Sequence, residues 1–497
     1  MTTKATINRL STGVPGLDEV LGGGLPEYSF NLIIGAPGCG KTTLAHQLMF
    51  AMATAERPAL FLTVLGEPPL KMLRYQQQFD FFDNAAINRS VRFVNMSDGA
   101  MFGERDQLLR RIVAEVETHS PGFVFVDSFR SMAQATTERG SADRNLHQFV
   151  QQLGVLMTSW QATTFLIGEY SSETEANPVF TVADGMIRLC QNVECNSMVR
   201  KIEILKMRGQ PTVPGLHTFR ITPAGLKVFV PAQVAAAAER ASQGGPLAER
   251  ARIGVPALDE MLHGGVPRGY SMLVAGPSGA GKSILASSFL AEGARCGETG
   301  VIASFDQSPH RSRDRRIADL IASGSVCLVD THAADLSIDE VVYQLLHDIH
   351  RLNATRVVID SLSGFELAVA PGFREDFRES LSRMVNALAG AGVTVLMTSE
   401  LEDRYTDLRF SPYGTAFMTD AIIVMRYIEV ESCLLRMLAV VKVRGSTHSN
   451  ELRTYCIDGD GIQVGAMLRD REGLLGGRPR LKRDGDGSVA DADADSG

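Results

Sequence analysis

The chain has 497 residues, a formal net charge of −8, 44% hydrophobic and 21% charged residues, the balance of a soluble globular protein too long for a single core. That acidic balance opposes nonspecific nucleic-acid binding, which needs a positive field to displace counterions, so nucleic acid is not an expected partner. No apolar run is long enough to span a bilayer, and Met1 to Thr6 leads on without the apolar core of a signal peptide, so a cytoplasmic protein without a membrane partner is expected.

In chain order, the first distinctive stretch is Thr12 to Pro26, whose glycines suit turns beneath a helix. Phe30 to Ile34 then reads as a buried strand, and Thr43 to Ala53 keeps apolar residues at helical spacing. Between them lies Gly35-Ala36-Pro37-Gly38-Cys39-Gly40-Lys41-Thr42, a complete phosphate-loop pattern. Glycines are needed there because the backbone must wrap closely around phosphate and aim its N–H groups and the positive helix end at the anion. Lys41 adds charge, Thr42 supplies a Mg²⁺ ligand, and Thr43 continues the first turn.

Ala59 to Val64 is the next strand, followed by Leu65-Gly66-Glu67-Pro68; Val91 to Asn95 is another, and Gln107 to Glu117 has helical spacing. Phe123-Val124-Phe125-Val126-Asp127 is four apolar residues ending in aspartate, as expected of a central strand buried on both faces that delivers a carboxylate to the Mg²⁺ shell. Thr164 to Gly168 is a strand ending near Glu169-Tyr170, and Asp184 leads a strand running to Leu189. Cys190 and Cys195 have no second closely spaced pair, so no structural metal is expected, and seven scattered cysteines fit reduced thiols. Val199 to Leu205 is a strand ending at Lys206-Met207-Arg208-Gly209, where residues two apart share a side.

After Pro231 to Arg250, rich in Ala, Gln and Gly, the same series returns. Ile253 to Pro267 matches Thr12 to Pro26, and Met272 to Ala275 leads into the second phosphate loop, Gly276-Pro277-Ser278-Gly279-Ala280-Gly281-Lys282-Ser283, with Ile284 following. Ala303-Ser304-Phe305-Asp306-Gln307 parallels the end of the second strand, and Val357-Val358-Ile359-Asp360 repeats the apolar run with aspartate. Thr394 to Thr398 ends near Ser399-Glu400, Thr419 to Val424 matches the strand behind Asp184, and Arg436 to Val441 ends at Lys442-Val443-Arg444-Gly445. The organisation expected is a first domain over 1–230, a linker over 231–250, a second domain over 251–468 and a largely disordered extension over 469–497.

The lead-in pattern G-V-x-x-L-D-x-x-L-x-G-G-x-P followed by a phosphate loop resembles the RecA-like ATPases, and two tandem copies resemble the KaiC group, over most of residues 7 to 468. The resemblance implies an α/β fold of two tandem RecA-like P-loop NTPase domains, each a mostly parallel twisted sheet flanked by helices. It implies ATP and Mg²⁺ as cofactors, a homo-oligomer, hexameric in the family, and KaiB-like or other signalling proteins as partners. In KaiC-like proteins an adjacent glutamate pair ends the second strand and orients the attacking water. Here Leu65 and Gly66 hold those places with Glu67 one residue late, turned to the opposite face, whereas the second copy keeps Asp306 and Gln307. The family's Lys-Arg motif reaches a neighbouring subunit's γ-phosphate, which assigns that role to Lys206, Arg208, Lys442 and Arg444. Clock-type members phosphorylate an adjacent Ser-Thr pair one residue before the second copy's Thr419-Asp420, and here Ala416-Phe417 stands there without hydroxyls. Three activities follow for testing: an ATP-driven assembly protein, a serine/threonine autokinase using Thr415, Thr419 or Ser411, and a DNA recombination or repair ATPase.

Overall fold

The computed structural model describes residues 7–63, 69–96, 105–127, 151–157, 159–169, 179–194, 197–230, 249–305, 315–329, 331, 336–369, 377–401, 418–467, 471–472 and 480–481. The chain divides into two compact units, Met1–Pro231 and Ala232–Gly497.

Among the described residues the first unit contains a nine-stranded sheet. Its strands are β1 (Phe30–Gly35), β2 (Ala59–Thr63), β3 (Val91–Asn95), β4 (Phe123–Asp127), β5 (Thr163–Glu169), β6 (Gly185–Glu194), β7 (Ser197–Met207), β8 (Leu216–Thr222) and β9 (Gly225–Val228). They lie in the order β9-β8-β7-β6-β1-β5-β4-β2-β3, with β1 to β6 mutually parallel and β7 to β9 antiparallel at one edge. The second unit repeats this order with β10 (Ser271–Gly276), β11 (Gly300–Ser304), β12 (Val326–Val329), β13 (Arg356–Asp360), β14 (Thr394–Glu400), β15 (Ala421–Val430), β16 (Cys433–Val443), β17 (Arg453–Asp458) and β18 (Gly461–Met467). Both units are therefore mostly parallel α/β sheets of one topology.

Alternation along each central strand explains why these runs are apolar throughout. Ile33, Phe61, Phe125 and Phe165 bury into one core, and Leu32, Leu62, Val126 and Leu166 into the other. A strand covered on both faces has no position where a polar side chain reaches water. The helix after each phosphate loop, α1 (Lys41–Met52) and α2 (Lys282–Arg295), packs on the first of these faces through Leu44, Ala45 and Leu48 or Leu285, Ala286 and Phe289.

The lead-in segments are structural braces. Asp18 accepts the Thr12 amide at 2.8 Å, and Asp259 accepts those of Ile253 and Gly254 at 2.7 and 3.1 Å. Gly24 and Gly265 take φ of 110° and 113°, and a Cβ there would lie 2.4 or 2.3 Å from the Leu10 or Ala251 carbonyl oxygen, so only glycine closes these turns. Within 469–497, where disorder is predicted from composition, Arg471 and Glu472 pair with Leu481 and Arg480 as a short antiparallel ribbon. Cys190 falls inside β6 rather than at a strand end.

Candidate nucleotide sites

Each phosphate loop leaves the C-terminal end of the sheet's central strand and enters a helix whose preceding residue is left-handed, Gly40 at φ 104° and Gly281 at φ 97°. A Cβ on Gly40 would meet Ile221 at 2.8 Å, and one on Gly281 would meet Ile457 at 2.7 Å, so the edge hairpin presses on the loop from behind in both units. Lys41 donates to the Ala36 carbonyl at 2.8 Å, and Lys282 to those of Gly276 and Pro277 at 2.8 and 2.9 Å. Both ammonium groups thus lie over the loop's own backbone. Cys39 is fully buried, as is Ala280 at the matching place, and burial raises the Cys39 thiol above its usual pKa while Lys41 opposes the shift.

Asp127 ends β4 and accepts the Thr42 hydroxyl at 3.0 Å. Burial raises its pKa, with Thr42 and Lys41 lowering it and the Glu169 charge raising it further. Glu169 stands beside the loop because β5 pairs it with Gly35, and β14 pairs Glu400 with Gly276 in the same register. In the second unit Asp360 accepts the Thr398 hydroxyl, and Gly279, Lys282, Ser283, Asp360, Glu400 and Ile457 line one cavity of about 350 Å³. Carboxylates gathered beside a hydroxyl in this way repel one another unless a cation stands between them, so the donor set suits a hard divalent ion with oxygen ligands. The open glycine cradle with its lysine suits a polyphosphate. Thr42 lies against Asp127, and Ser283 and Asp360 line one cavity, so these are the oxygen donors available to a magnesium ion; Gly35, Gly38, Cys39, Gly40, Lys41 and Thr43, with Gly276, Gly279, Ala280, Gly281, Lys282 and Ile284, make up the two loops and the first turns behind them.

The Lys-Arg motifs lie elsewhere. Met207 pairs with Gly185, which pairs with Asn31, so each motif sits at the N-terminal end of the central strand while its own phosphate loop leaves the other end. At about 3.3 Å per residue the stretch from Asn31 to Gly35 separates them by roughly 13 Å, beyond an arginine's reach. Lys206 donates to the Phe180 and Thr181 carbonyls at 3.3 and 3.4 Å, and Lys442 to that of Thr419 at 2.7 Å. Arg208 pairs with Asp184 at 3.0 Å and Arg444 with Asp420 at 3.4 Å. Burial, then the adjacent arginine charge, lowers the pKa of both lysines. The sequence put lysine and arginine on one strand face. Instead a bulge precedes each lysine, and each arginine is the first residue of the following turn; the pairs still converge, Lys206 and Arg208 on the Thr181 carbonyl.

Two further acidic residues matter here. Asp184 also accepts the Phe30 amide at 3.0 Å, and Asp420 the Ser271 amide at 3.0 Å, so one carboxylate fixes both the arginine and the start of the central strand. Their recurrence one residue before each matching strand was the available signal. The proposed water-orienting residues Glu67, Asp306 and Gln307 lie outside the described residues, as do Ser411, Thr415, Ala416 and Phe417. Thr419 is described and fully buried. No helix among the described residues is long and apolar enough to cross a membrane.

Sequence comparison finds the same duplication. The model of the family described as "ATPase: KaiC" matches residues 10–233 and again 251–469. A circadian clock oscillator protein KaiC from Picosynechococcus sp. is 26% identical over 95% of this chain and 92% of its own length. KaiC 1 from Synechocystis sp. has the same identity and coverage, and KaiC from Prochlorococcus marinus is 25% identical over 95% of this chain and 96% of its own. With the family matched twice, in tandem and across most of the sequence, the chain belongs to the KaiC ATPase family.

Proposed function

We propose that the chain binds and hydrolyses Mg-ATP at both phosphate loops as a homo-oligomeric ring, a hexamer by resemblance, with nucleotide held between adjacent subunits. Its ATP cycle drives conformational signalling to protein partners, KaiB-like or other signalling proteins. Lys41 and Lys282 grip the phosphates; Thr42 with Asp127, and Ser283 with Asp360, hold magnesium. Bound magnesium supplies charge neutralisation at the phosphates. Asp306, aided by Gln307, orients water in the second unit, where Glu67 of the first is displaced by one residue.

The observation that carries this reading is the placement of the Lys-Arg motifs opposite their own phosphate loops in both units. A cationic pair so placed is out of reach of its own unit's phosphate and suits an arginine finger acting in trans. The autokinase reading is weaker: Thr419 is buried and Ala416-Phe417 carries no hydroxyl. The net charge of −8 weighs against action on DNA.

Complementation tests the reading. Lys282→Ala and Arg444→Ala proteins each lose second-site turnover, and assemblies mixed from both regain part of it because one subunit type supplies the finger and the other the cradle. Mixed assemblies no more active than either parent would refute action in trans.

A further inference from the structure

The second phosphate loop is held from behind by a group that the first lacks. Tyr455, on β17 and 5% exposed, donates its hydroxyl to the Ala280 carbonyl at 2.5 Å. Strand register makes Phe219 on β8 its counterpart: Tyr455 lies two residues after Arg453, which pairs with Leu438, and Phe219 two after His217, which pairs with Ile202. Phe219 is as deeply buried but has no hydroxyl to donate. Nearby, a Cβ on Gly279 would stand 3.0 Å from the Tyr427 hydroxyl, whose counterpart Gln191 donates to Pro37 in the first unit at 3.2 Å.

The peptide bond is planar and trans, so a carbonyl and the following N–H point in opposite directions. With the Ala280 carbonyl drawn back toward Tyr455, the Gly281 N–H is turned the other way, toward the cavity that Gly281 itself lines. Glycine accepts φ of either sign at similar cost, so the Ala280–Gly281 peptide has little intrinsic resistance to flipping, and a flip would present the phosphates with a carbonyl oxygen. The bond to Tyr455 is what opposes that flip.

We infer that Tyr455 is a positioning residue that pre-sets a phosphate-binding amide in the second loop, so the second site grips nucleotide more tightly than the first for a reason of preorganisation. This rests on the nucleotide-binding reading above. Nucleotide affinity falls in proportion to the fraction of molecules with a competent loop, so losing the hydroxyl weakens binding even though it touches no ligand.

The test is titration of the full chain with a fluorescent Mg-ADP analogue, using Lys41→Ala as background so that only the second site binds. Adding Tyr455→Phe should raise the dissociation constant about tenfold, equivalent to about 1.4 kcal/mol. Unchanged affinity, with or without a drop in melting temperature, overturns the inference and leaves the nucleotide site standing. Absence of binding in the Lys41→Ala protein itself would instead refute the underlying function. Should Tyr455→Phe fail to fold, Phe219→Tyr in a Lys282→Ala background decides: a tighter first site supports the inference, and an unchanged one overturns it.

Discussion

Beneath its phosphate-loop helix the first unit stacks Phe61, Phe125 and Phe165, with ring centroids 6.1 and 4.7 Å apart, where the second unit places Ile302, Val358 and Leu396 in the same strand order. Against this ladder the first unit sets His46, fully buried and 4.6 Å from the Phe61 ring, and the second sets Ser287, whose hydroxyl donates to the Ser283 carbonyl one turn back. A partly buried ion pair is exchanged as well. Arg57 meets Glu27 at 2.8 Å in the first unit, and at the matching positions Glu298 meets Arg268 with the charges reversed. The residues that face the expected phosphates recur, whereas those that hold up the sheet have been replaced by different solutions. Packing tolerates substitution where volume and pattern are kept, but a cradle for a triphosphate has few chemical equivalents.

The sharpest way to break the comparison is at the lysines. Lys282→Ala should lower steady-state ATP turnover at least tenfold, with Lys41→Ala having the smaller effect, because only the second copy keeps a carboxylate at the place proposed to orient water. Phosphate release by variants of equal assembly state checks this, and loss of turnover from Lys41→Ala alone would assign the active site to the other unit.

The exchanged ion pair should be unequal in stability. Glu298 pairs not only with Arg268 but with Arg356, 3% exposed, at 2.5 Å, and Arg356 also caps the Arg252 and Phe289 carbonyls. Glu298→Ala strands that buried guanidinium and should destabilise the second unit by about 3 kcal/mol. Arg57→Ala breaks a half-exposed pair and its contact over the Phe123 ring, and should cost the first unit only about 1 kcal/mol. Urea titrations of the two variants measure the contrast; equal losses would contradict it.

Acid should act on the first unit through His46. Burial, opposed by Gln76, lowers this imidazole from 6.5 to about 4. Because the unfolded chain takes up the proton first, the stabilisation is complete above the unfolded value and fades as pH falls from 6.5 toward 4. By pH 5 the first unit should have lost about 2 kcal/mol from this source. His46→Phe should flatten that slope in a pH series of denaturant melts, and an unchanged slope would exclude His46 as the cause.

Much of the site was legible in the sequence because phosphate loops and their partner aspartates are local patterns with a fixed chemical purpose. Lys41, Thr42, Asp127 and their second copies could be placed from spacing and apolar context alone. The pairing of Glu169 with Gly35, and of Glu400 with Gly276, arises from contacts between strands far apart in the chain, so only their approximate place could be read. The outer hairpin of the antiparallel edge escapes a sequence reading for a similar reason: Arg453 to Asp458 is short, mixes charge with apolar residues, and becomes a strand by pairing with its neighbours. With that hairpin goes Tyr455, whose contact is with one carbonyl of the distant phosphate loop. The Lys-Arg motifs were recognised, but their position relative to their own loops follows from strand direction, which residue spacing does not encode.

The carboxylates Asp184 and Asp420 give that placement a mechanical meaning. Each clasps an outward-facing guanidinium with one oxygen and the first amide of the central strand with the other, and the far end of that strand is the cradle itself. A stiff rod six residues long joins that clasp at one end to the glycine-rich loop at the other. In the ring proposed above, a tug at one such grip would be felt at the next.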